Sequence, residues 1–115
     1  MKIPDKFTGK WKIYHMDQWD TDYIDMEVPG HITIDKDGMG HFQFGLVTGE
    51  IDCRVEKYNG DERIEFTWSG SDEGDDISGR GWAEVHKKEM NGWIYIHLGD
   101  DSGFKAKKNE SPRLS

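Results

Sequence analysis

The chain predicts an all-β protein, an eight-stranded antiparallel up-and-down β-barrel, on three observations. Apolar and polar residues alternate with period two along most of its length, the signature of half-buried strands. Turn pairs punctuate that alternation: Asp37-Gly38, Thr48-Gly49 and Asn59-Gly60 follow at 11-residue intervals. Fourteen glycines suit the strong curvature that closing a sheet requires. Asn-Gly and Asp-Gly favour positive φ at both central positions of a tight hairpin, and strands at such spacing belong to sandwiches or barrels. A flattened two-sheet sandwich with the same strand order is the alternative.

The elements follow in order. A first strand over 8–16 turns Trp11 and Ile13 inward, with His15 in the same phase. A long connection follows, with room for one short helical turn within 17–27. Strands over 31–36 and 39–47 contribute Ile32, Ile34, Phe42, Phe44 and Leu46. The strand over 50–58 contributes Ile51, Cys53 and Val55, and 62–69 contributes Ile64, Phe66 and Trp68. After a Gly- and Asp-rich stretch, strands over 77–88 and 93–98 flank Asn91-Gly92, read as a hairpin turn. A last strand covers 103–108 with Phe104 and Ala106 inward. Residues 1–108 thus make one domain, and 109–115 read as a flexible tail.

Composition narrows the function classes. With 34% hydrophobic residues and fourteen aromatics, the chain has the core of one folded domain despite 33% charged residues. A net charge of −8 repels phosphate backbones, so nucleic acid is not an expected partner. No apolar run is long enough for a membrane helix, and the first residues lack the apolar segment of a signal peptide. The single Cys53 forms no internal disulfide and suits a reducing cytoplasm.

Phe7-Thr8-Gly9-Lys10-Trp11-Lys12-Ile13 is similar to the opening strand of lipocalins and fatty-acid-binding proteins, the calycin group, over about seven residues. The resemblance implies an eight-stranded barrel whose Trp11 plugs the closed end, and an open end beside the loop after the first strand. It also implies a basic residue late in the chain stacked on that Trp, for which Lys105, Lys107 and Arg113 are the candidates. Residues 17–27 stand where a fatty-acid-binding protein carries its helical lid. The whole chain also resembles small bacterial proteins of unassigned function that carry Trp-Asp-x-Asp-Tyr and Ser-Gly-Arg-Gly-Trp segments.

Alternate loops of an up-and-down barrel fall at opposite ends. The connections 17–30, 47–50, 68–77 and 99–103 therefore share one end, and they hold 12 of the 23 acids, Glu50 among them. The candidate ligand-binding residues gather there: His15 and Trp68 from the interior, Trp19, Asp20, Asp22, Tyr23 and Asp25 from the first loop, and Arg80 and Asp100. Asp20-x-Asp22-x-x-Asp25 lacks the Gly and distal Glu of an EF-hand, and Asp in loops ordinarily caps turns, so no metal or other cofactor is expected. Arg80 is expected first as a clamp onto carboxylates of the neighbouring loops, and second as a fork for an anionic ligand group. The Asn91-Gly92 turn would set His86 opposite His97, without a third ligand for zinc. Cys53 reads as a core residue, and Ser78 and Ser102 fit no catalytic triad.

The sequence thus points to a non-enzymatic small-molecule-binding barrel whose acidic mouth takes a polar or cationic ligand. The alternatives are an interaction module for a basic protein partner, and a small hydrolase or isomerase using His15 with a carboxylate of the first loop.

Overall fold

The computed structural model describes residues 3–108. Eight strands form one closed antiparallel barrel, each pairing with its neighbours in sequence and the last with the first. They are β1 (Gly9–Met16), β2 (His31–Ile34), β3 (Met39–Phe44), β4 (Val47–Tyr58), β5 (Asp61–Asp72), β6 (Asp75–His86), β7 (Glu89–Ile96) and β8 (Asp101–Lys108). A 3-10 turn, Asp5–Phe7, precedes β1, and one helical turn, α1 (Thr21–Ile24), lies between β1 and β2. The fold class, strand number and order are those the alternation predicts. Because the hydrogen-bonded ring closes, there are no two separate sheets. The expected tail, 109–115, lies outside the described residues.

Several turns sit elsewhere than the glycines suggest. Asn59-Gly60 is a true hairpin turn, with φ of 53° and 86°. Thr48-Gly49 instead lies inside β4, whose turn from β3 is Gly45-Leu46. Gly49 is needed for closeness: a Cβ there would stand 2.6 Å from the Phe42 ring and 2.9 Å from Trp68. Asn91-Gly92 likewise lies inside β7, where Gly92 lets the Phe104 ring rest on the backbone. The β6–β7 turn is Lys87-Lys88, so His86 faces Glu89 and not His97. His97 donates its backbone N–H to the Ser78 carbonyl, 2.7 Å away. The expected loop over 68–77 is a continuous hairpin, paired out to Asp72 opposite Asp75 around Glu73-Gly74.

The interior is full. Ile13, Ile32, Ile34, Phe42, Phe44, Ile51, Ile64, Phe66, Trp68, Met90 and Ile94 are all buried along the barrel axis. At the base, Trp11 is 1% exposed and packs in one cluster with Phe7 and Ile3. Its indole N–H donates to the Phe7 carbonyl at 3.0 Å. The Lys108 ammonium sits 5.0 Å from the Trp11 ring centroid and donates to the Thr8 carbonyl. Lys105 and Lys107 point outward instead: Lys107 lies 5.1 Å from the Tyr14 ring. Arg113 lies outside the described residues; among those described, the basic residue on the Trp is Lys108, which continues the inward phase of Phe104 and Ala106.

Candidate functional site

The connection after β1 closes the other end. It is pinned at its start by Ser102, 1% exposed, whose hydroxyl accepts the backbone N–H groups of Asp17 at 3.0 Å and Gln18 at 3.1 Å. That bonding makes Ser102 a fastener of the loop. Asp20 caps α1, its carboxylate accepting the Tyr23 N–H at 3.0 Å. The helical turn then lays Ile24, fully buried, onto the core. Half-buried Trp19 packs on Phe44 with centroids 4.8 Å apart, and Tyr23 lies 6.3 Å from Trp19. The Tyr23 hydroxyl accepts the Leu46 N–H at 3.3 Å, over Gly45, where the ring leaves no space for a side chain. Trp19 and Tyr23 are thus the stopper of the mouth.

Asp25 is structural as well. Its carboxylate accepts the Gly30 N–H and the Lys12 ammonium, each at 2.8 Å. The Gly30 amide first, and then Lys12, hold this carboxyl below the ordinary range of an aspartate. Asp22 and Asp100 are exposed on the rim.

His15 is not in the barrel. The ladder between β1 and β8 shifts register between Ile13 and His15, so the phase that Trp11 and Ile13 establish passes to Met16. A bulge of this kind turns one side chain outward, which no alternation count foresees. His15 is exposed, its Nε2 lying 3.2 Å from Asp17 Oδ1. Trp68 is buried and donates its indole N–H to the Tyr95 carbonyl at 3.2 Å. Glu50 faces outward in mid-strand, opposite Ser69, and does not belong to the rim.

The β5–β6 hairpin carries Asp72, Glu73, Asp75 and Asp76 at its tip. Among the described residues, none of these four has a cation within 4.0 Å. Arg80 does not clamp them. It lies on the outer wall, its guanidinium 4.9 Å from the Tyr95 centroid, also with no carboxylate within 4.0 Å among the described residues. Burial pushes the Cys53 thiol up to about 12, and nearby Asp52 adds to the effect, so it stays protonated at neutral pH. No three metal-ligating side chains converge among the described residues.

The nine candidate residues therefore do not line one pocket. Five of them build or flank the loop plug, Trp68 is core, and His15, Arg80 and Asp100 are separate on the outside. No family model matches the chain, and neither a curated protein nor a solved structure matches it.

Proposed function

We propose that this is a non-enzymatic, calycin-like binding barrel that receives a basic segment of a protein partner on its acidic pole. The calycin likeness is supported by Trp11 with Lys108 stacked on it at the base. The observation that carries the function is the four-carboxylate tip of the β5–β6 hairpin. Among the described residues it has no cation within 4.0 Å, and it stands at the end of the barrel whose mouth is stoppered by Trp19, Tyr23 and Ile24. Like charges so close repel, and a partner bearing Lys or Arg relieves that repulsion while accelerating encounter. The filled interior favours this contact from outside over a small ligand held within. A catalytic reading through His15 has less support, because that residue is exposed and, among the described residues, pairs with Asp17 alone, at 3.2 Å.

The test is titration of a fluorescent oligolysine peptide onto the full chain. Binding should weaken steeply with salt, since exposed charges are screened within about 8 Å at physiological ionic strength. Neutralising Asp72, Glu73, Asp75 and Asp76 to their amides should abolish it, while neutralising Asp5, Glu56, Asp61 and Glu62 toward the other end should leave it. Equal loss in both variants would reduce the effect to net charge and sink the reading.

A further inference from the structure

Two arginines on the outer wall can be read against each other. Arg63 is a completed site. Its guanidinium carbon lies 4.0 Å from the Tyr58 ring centroid and 4.7 Å from that of Trp82. Its edge N–H groups meet Glu65 at 3.0 Å and Glu84 at 3.9 Å. Arg80, one strand further on, has the first half of that arrangement only. Tyr95, its partner across the β6–β7 ladder, places its ring centroid 4.9 Å from the guanidinium carbon. Stacking occupies the face of a guanidinium and leaves the planar fork of donors at its edge, the part that matches a carboxylate.

Arg80 lines a groove of about 550 Å³ together with Thr67, Ser78, Tyr95, Ile96 and His97. Pockets for small ligands commonly have about 300–1,000 Å³. Neither the Thr67 nor the Ser78 hydroxyl is hydrogen-bonded to a described residue, in contrast to Thr48 and Ser71, which meet at 3.3 Å. The floor is fixed from inside, where Trp68 reaches past Gly79 to the Tyr95 carbonyl. Tyr95 and Ile96 offer apolar surface. Asp52, Arg54 and Glu65 border the neighbouring groove that Arg80 also lines, and Glu65 is already paired with Arg63. The single charge of the Arg80 guanidinium matches that of one carboxylate.

We infer that this groove is a binding site for a small monocarboxylate with a flat apolar body, its carboxylate taking on Arg80 the place that Glu65 takes on Arg63. The inference rests on Arg80 and not on the acidic tip, whose Asp76 lines the adjoining groove that shares Ser78 and His97.

The experiment titrates benzoate, benzamide and benzylammonium onto the full chain and follows backbone amide resonances. Benzoate should saturate, with shifts centred on Ser78, Arg80 and His97. Benzamide, which has the same shape without the charge, should bind about tenfold more weakly, as should benzoate to an Arg80→Gln variant. Equal binding of benzoate and benzamide would overturn the inference. So would tighter binding of benzylammonium, an Arg80→Gln variant that binds benzoate as wild type does, or no saturation by benzoate at millimolar concentration.

Discussion

Each end of the barrel is closed by a tryptophan beside one turn of helix. At the base, Trp11 is almost wholly buried with Phe7 and Ile3, and its one polar atom is satisfied within the plug by Phe7. At the rim, Trp19 and Tyr23 are half-buried, Ile24 alone of the plug is fully buried, and the rest is held by hydrogen bonds to Asp20, Asp25, Tyr23 and Ser102. Buried apolar area is gained only when the whole plug packs, whereas single polar contacts at a surface exchange with water at small net cost. The base belongs to the global fold. The rim is the end that opens first.

The sharpest break of this comparison is Trp11→Ala. Truncating a buried aromatic in a packed core costs about 3–5 kcal/mol, and denaturant unfolding should show it as a lowered midpoint. Trp19→Ala should cost about 1–2 kcal/mol, because the ring is only half removed from water. Amide exchange should rise in residues 18–30 of that variant and stay at the wild-type level in β5 and β6. Equal costs at Trp11 and Trp19 would erase the distinction between the ends.

The smallest effect is a matter of pH. A carboxyl held below its unfolded value contributes stability that is present above the unfolded pKa and lost as pH falls through the folded one. Asp25 is such a group. The melting temperature of Asp25→Asn should therefore lie below wild type at neutral pH. The two curves should converge in acid, below the unfolded aspartate value of about 3.9. A gap that persists unchanged into acid would mean that the carboxylate charge plays no part in holding the loop.

Period-two alternation made the eight strands and most of the core legible, because a closed barrel has one apolar face and every strand reports it. Glycine was the ambiguous letter. Gly60 serves a turn that needs positive φ, while Gly49 and Gly92 serve rings that need the space of a missing side chain, and both uses read alike in sequence. The two misplaced turns, and with them the pairing of His86 with His97, follow from that ambiguity. His15 was misplaced for a different reason: a bulge changes phase without leaving a mark in composition. Lys108 could have been found by continuing the count from Phe104 and Ala106. The aromatic half of Arg80's surroundings could not, since the ladder alone sets Tyr95 beside it.

The pairing of β1 with β8 bears on how the molecule reaches its shape. Seven of the eight ladders join strands adjacent in sequence, whereas the eighth brings Trp11 opposite Lys108. Ordering so long an intervening chain carries the largest entropic penalty of the eight pairings. If that seam closes last, the sheet that precedes it exposes two unpaired strand edges. Non-local pairings slow folding. The seam, and the Lys108–Trp11 contact beside it, would then set the pace of assembly and the interval during which the chain is vulnerable to pairing with another copy.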